Sequence, residues 1–228
     1  MSSRCTVWWA APLAPEAAPA LVGLLDDHER EHLVRFRRPD DRARYLAAHA
    51  LARLVLGPLV GSAAERLAFD RTCRCGAPHG KPVLPGGPDF SLTHAGDLVG
   101  VAVRRDGPVG LDVEQARAVA DLAALAGHVR SPAESARGGV DPTAFFRTWT
   151  RKEALLKATG EGLSAPMSAI TLADDRPEVQ RWTGPGAPNS PMWLRDLTPA
   201  ADHPAAVAGP GEHAPQIVER DGNVVLRP

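Results

Sequence analysis

The chain has 228 residues, 44% of them hydrophobic, enough to bury one good-sized core or two smaller ones. Its 26 Lys and Arg nearly cancel its 27 Asp and Glu, so no global field draws it to nucleic acid or to an anionic membrane, and charge-driven recognition must be local. It has no run of about 18 apolar residues to span a bilayer and no basic-then-apolar leader, which makes the cytoplasm the expected compartment.

A strand is expected over residues 6–10, followed by a Pro/Ala-rich loop. From 21 to 56 the apolar spacing is helical, with a break near Pro39 and a long apolar-faced helix over 41–56 that ends at Gly57 and Pro58. Residues 90–93 and 98–103 read as a hairpin, and 109–114 as a third strand after the turn at Gly107 and Pro108. Ser131, Pro132 and Glu134 have the form of a capping box with proline at the first helical position. Asp141 and Pro142 open a further helix that runs to about Ala158 and stops at Gly160. Short strands are expected at 169–172, 192–197 and 205–208. Strands and helices mix without strict alternation, which favours α+β over a doubly wound sheet.

Three groups of residues carry potential chemistry. On the helix that begins at Asp141, Glu153 and Lys152 fall on the apolar stripe of Phe145, Phe146, Trp149, Leu155 and Leu156. Charges there are costly, so they mark either a site or an internal ion pair without further role. Lys157, four residues beyond Glu153, can pair with that carboxylate or reach an anion both share. In Gly110-Leu111-Asp112-Val113-Glu114 the strand period puts Asp112 and Glu114 on one face. Their mutual repulsion would be relieved by a hard cation such as Mg²⁺, or simply by solvent at the end of a polar strand face.

The third group is Gly80-Lys81-Pro82 with the segment from Phe90 to Gly96. Lys81, Thr93 and His94 are each able to contact a phosphate, although a histidine in that position also suits a plain turn. No GxxxxGK[ST] loop and no GxGxxG fingerprint is present, which argues against the common nucleotide folds. Cys73, Cys75 and His79 make an incomplete zinc pattern whose plain reading is a loop with two reduced thiols, and Cys5 has no evident partner.

Taken together and in this order, GKP at 80–82, FSLTHAG at 90–96, GLDVE at 110–114 and FFRTWTRKEALLKATGEGL at 145–163 resemble the Sfp-type 4'-phosphopantetheinyl transferases. Weaker similarity reaches from about Arg35 to Val207, and Thr93 stands where the family usually has serine.

The resemblance implies a pseudo-dimer of two similar α+β halves, here 1–107 and 108–228, with coenzyme A in the cleft between them. It implies that Asp112, Glu114 and Glu153 hold Mg²⁺, that Lys157 and Lys152 neutralise developing charge, and that Arg44, Lys81, Pro82, Thr93 and His94 contact coenzyme A. Asp112, Glu153 and Lys157 are then the catalytic set, with Glu153, directly or through a bound water, the expected base for a carrier-protein serine. The implied partner is an apo acyl or peptidyl carrier protein, as in polyketide or nonribosomal peptide synthesis. Arg35, Arg37, Arg38, Arg42 and Arg44 are candidates for docking it, diluted by Asp40 and Asp41. A monomer suffices when both halves lie in one chain. The competing readings are a coenzyme A or carrier-binding homologue without turnover, another Mg²⁺-dependent phosphoryl enzyme such as a nucleotide pyrophosphatase, and a zinc module.

Overall fold

The computed structural model describes residues 3–73, 76–78, 80–139, 141–162 and 165–227. The chain forms two compact units, one of Met1–Asp106 with Gln216–Pro228 and one of Gly107–Pro215. Both mix helices and strands, in keeping with the expected α+β class.

The first unit is built on a four-stranded sheet. Strand β1 (Arg4–Ala10) lies between β3 (Leu98–Arg104), to which it is antiparallel, and β9 (Gln216–Asp221), to which it is parallel. Strand β2 (Asp89–Ala95) completes the order β2-β3-β1-β9 and forms the expected hairpin with β3. The boundary read from the sequence puts 216–228 with the second half; backbone pairing instead returns β9 to the first unit, followed by the short helix α7 (Asn223–Leu226).

One face of this sheet is covered by α3 (Pro39–Val60), preceded by α1 (Pro19–Leu24) and α2 (Asp27–Arg35). Leu46, Leu51 and Leu56 of α3 are fully buried with Phe90, Val99 and Val101 of the hairpin. The helix starts at Pro39 rather than at the expected 41, with proline in its first turn and Asp40 and Asp41 near the positive end of its dipole. It runs past Gly57 and Pro58, however, and stops at Gly61 in the left-handed conformation, φ 67°. Pro58 removes only one backbone donor, close to the end of the helix, where buried Leu56 anchors the turn and the Ser62 N–H closes it on the Gly57 carbonyl at 3.0 Å.

In the second unit, β4 (Gly110–Val113), β8 (His203–Pro210) and β7 (Met192–Ala200) form an antiparallel sheet in the order β4-β8-β7. Strands β5 (Ile170–Leu172) and β6 (Val179–Trp182) pair separately. Helices α4 (Leu122–Val129) and α5 (Pro132–Ala136) precede α6 (Pro142–Thr159), which packs across β4 and β8. The expected capping box of α5 is formed by Ser131 and Glu134. Asp141 caps α6 by accepting from the Ala144 N–H at 3.0 Å, and Gly160, φ 73°, ends it.

The contact of α6 with β4 is unusually intimate because of Gly110. A Cβ there would sit 1.9 Å from the Ala154 carbonyl oxygen and 2.4 Å from the Ala158 nitrogen, so only glycine lets the strand lie directly on this helix. That approach brings the next residues of β4 beside the α6 face that bears Glu153 and Lys157.

Candidate active site

All four residues of β4 are buried, including Asp112 at 5% exposure, and Glu114 continues the pairing by donating its N–H to the Pro204 carbonyl at 3.1 Å. Lys157, one turn beyond Glu153 on α6, donates from Nζ to Asp112 Oδ1 at 2.7 Å and to the Leu111 carbonyl at 3.1 Å.

The carboxylates feel one another. Burial pushes Glu114 up to about 7, the Asp112 charge adds to the rise, Lys157 and Arg117 oppose it, and Glu153 adds a little more. Glu153 is likewise raised, first by burial and then by Asp112, against Lys157. The structure therefore brings Asp112, Glu114, Glu153 and Lys157 into a single neighbourhood. One buried and two half-buried acids that repel one another are a donor set of hard oxygens suited to a divalent cation of the Mg²⁺ class. As they stand, no three His, Cys, Asp or Glu among the described residues are arranged to hold an ion, and Asp112 is engaged by Lys157 instead. Of the incomplete zinc pattern, Cys75 and His79 lie outside the described residues.

Lys152 does not join this group. Its side chain is completely buried, donating to the Val129 carbonyl at 2.8 Å and to Glu134 Oε2 at 2.5 Å. Glu134 also accepts from the Ser131 and Leu172 N–H groups at 2.7 and 2.8 Å, so the pair ties α6 to α5 and β5. Burial lowers the Lys152 pKa and the Glu134 charge opposes the fall. The alternative of an internal ion pair is the one realised at this position.

The remaining candidates belong to the first unit. Arg44 donates to the Gly96 carbonyl at 2.8 Å and to Asp41 at 2.5 Å, joining α3 to the β2–β3 turn. Lys81 is paired with Asp89 at 2.5 Å, and its pKa is lowered by burial against the pull of that carboxylate. On β2, Thr93 is buried and His94 exposed. Pro82 and Gly80 line a cavity of about 420 Å³ together with His28, His32, Arg35, Tyr45, His49 and Arg71. His32 stacks on Tyr45 with ring centroids 5.4 Å apart, and burial, then Arg35, His28 and His49, depress its pKa.

The sequence reading passed over most of this cavity wall. The i, i+4, i+7 spacing of His28, His32 and Arg35 on one helical face was the available signal. Of the arginines considered for docking, Arg35 lies 3.8 Å from Glu31, Arg42 3.7 Å from Glu16 and Arg44 2.5 Å from Asp41.

A profile of the 4'-phosphopantetheinyl transferase superfamily matches residues 108–208. Among relatives, the 4'-phosphopantetheinyl transferase HetI of Nostoc sp. (strain PCC 7120) is 33% identical over 216 residues, covering 89% of this chain and 86% of its own. The 4'-phosphopantetheinyl transferase psf-1 of Bacillus pumilus is 34% identical over 62% of this chain and 61% of its own. The 4'-phosphopantetheinyl transferase Sfp of Bacillus subtilis (strain 168) is 25% identical over 73% and 74%.

Proposed function

Because the chain belongs to the 4'-phosphopantetheinyl transferase superfamily, we propose that it transfers the 4'-phosphopantetheine arm of coenzyme A to a serine of an apo carrier protein, releasing adenosine 3',5'-bisphosphate. The observation that carries this reading is the cluster of Asp112, Glu114 and Glu153 beside Lys157, with both glutamates titrating high. Asp112, Glu114 and Glu153 would hold Mg²⁺, which supplies charge neutralisation at the pyrophosphate of coenzyme A.

The chain's own residues do the rest. Lys157 places an ammonium where negative charge builds on the phosphoryl oxygens and the leaving oxygen. A serine hydroxyl is a weak nucleophile, and Glu153, whose raised pKa brings it closer to neutrality, accepts its proton. In the first unit, Lys81, Pro82 and the histidine-lined cavity suit the adenosine end of coenzyme A, with Arg44, Thr93 and His94 as phosphate contacts. No helix among the described residues is long and apolar enough to cross a membrane.

The test is direct. The protein is incubated with coenzyme A, Mg²⁺ and an apo carrier, and the intact carrier is weighed. A gain of one phosphopantetheine is expected; an unchanged carrier, with coenzyme A hydrolysed instead, would favour a pyrophosphatase.

A further inference from the structure

The second unit has a second polar site on the opposite side of α6. A cavity of about 270 Å³ is lined by Ala144, Arg147, Thr148 and Arg151 of that helix. At 3.6 residues per turn these centre roughly 180° around the helix from Glu153. Arg130 and Arg137 complete the basic wall, while Phe145 and Leu172 give it an apolar part.

Most of the charges here are already matched. Arg151 is 6% exposed and binds Asp196 through Nε and Nη2 at 2.8 and 2.6 Å, which leaves Nη1 without a hydrogen bond among the described residues. Glu134 is taken by Lys152 at 2.5 Å, and Asp174 lies 3.6 Å from Arg137. Two cations remain over. Arg130 donates to the carbonyls of Gly139 and Gly138 at 3.1 and 3.2 Å and meets no carboxylate among the described residues. Arg147 is exposed and forms no ion pair among the described residues.

We propose that this cavity binds a small polyanion, a phosphate- or carboxylate-bearing metabolite, at a site separate from the carboxylate cluster. Guanidinium forks match planar or tetrahedral oxyanions bidentately, which a set of lysines would not. The concave shape, closed by α5, α6 and the end of β5, suits a small molecule better than a flat protein surface. The positive field of Arg130 and Arg137 is also felt by Lys152, whose pKa they help to lower behind the leading effect of burial.

The full chain is titrated calorimetrically in metal-free buffer of constant ionic strength, once with inorganic pyrophosphate and once with citrate, to separate phosphate from carboxylate sources. Saturable binding is expected, weakened about tenfold or more by Arg147→Glu. Arg130→Gln is expected to weaken it as well, and Lys157→Ala to leave it in place. Arg147 makes no ion pair that its loss would break, so its variant keeps the fold, verified by an unchanged Tm. Absence of saturable binding by both probes overturns the proposal, the result expected if an acidic protein were the true occupant. Binding that survives both arginine variants, or that is lost in Lys157→Ala, overturns it too.

Discussion

Glu29 in the first unit and Glu114 in the second are both largely withdrawn from water, yet they titrate in opposite directions. Around Glu29, burial would raise the pKa, but hydrogen bonds and charges from His49 and Arg53 hold it down at about 2. Arg53, fully buried, donates to Glu29 at 2.7 Å, to Asp26 at 2.6 Å and to the Leu67 carbonyl at 2.9 Å, and Arg71 reaches the same two acids. Asp26 and Glu29 are at the same time the two ends of the α2 capping box. Nothing in this network calls for a further ion. Around Glu114 the neighbours are Asp112 and Glu153, and Lys157 with Arg117 only partly offsets them. A buried acid surrounded by cations holds a fold together; buried acids facing each other await a ligand.

The comparison breaks first at Glu153. Glu153→Gln keeps size and a hydrogen-bonding group but removes the charge, and is expected to cut transfer by about 10³-fold, with little change in coenzyme A affinity measured by equilibrium binding. Full activity in that variant would remove Glu153 from the mechanism. Stability should scarcely fall, since a repelling charge has been taken away.

Arg53→Met should do the reverse. Leaving Asp26 and Glu29 without their buried partner is expected to cost about 3–5 kcal/mol in urea unfolding, whereas the second unit's cluster is untouched. A loss under about 1 kcal/mol would show that Arg71 and His49 alone satisfy the acids.

Gly110→Ala places a methyl where the Ala154 carbonyl oxygen is 1.9 Å away, so α6 must shift off β4. About 1–3 kcal/mol of stability should be lost, with transfer falling more than stability because Asp112 moves relative to Lys157. Equal activity per folded molecule would mean that the close approach serves packing alone.

The smallest effect is a pH dependence in metal-free solution. Glu114 binds its proton more tightly folded than unfolded, so stability should fall as pH rises from the usual 4.5 through about 7, and Glu114→Gln should reduce that decline to the share of Glu153, which is raised in the same sense. Glu29 has the opposite sign: its contribution is complete above 4.5 and is lost as pH falls toward about 2. Tm measured across this range for the parent and Glu114→Gln checks both signs. A parallel pair of curves between pH 5 and 7.5 would contradict the first.

How far the sequence foretold this contrast depends on the range of the interactions. Asp112, Glu114, Glu153 and Lys157 were legible because each pair is set by a local period, two along β4 and about four along α6. The capping box at Ser131 and Glu134 was legible for the same reason. Lys152 lay on the same stripe, but whether it faced a ligand or Glu134 depended on how α5 packs against α6, a tertiary matter that spacing does not encode.

The parallel pairing of β9 with β1 joins residues about two hundred positions apart and has no local signature either. Strand β6 was missed because it is a short, mostly solvent-facing partner of β5, without alternation to mark it. The Glu29 network escaped notice because its members lie on α2, on α3 and in the loop that carries Arg71, with only the Asp26 and Glu29 pair adjacent in sequence.

The most direct test is a calorimetric titration of the purified, metal-free chain with Mg²⁺, repeated on Glu114→Gln and Glu153→Gln. One ion per chain is predicted for the parent, with proton release as Glu114 gives up its raised pKa, and binding abolished or severely weakened in both variants. A single ion bound with the same affinity in all three proteins would contradict the assignment of these carboxylates as its ligands.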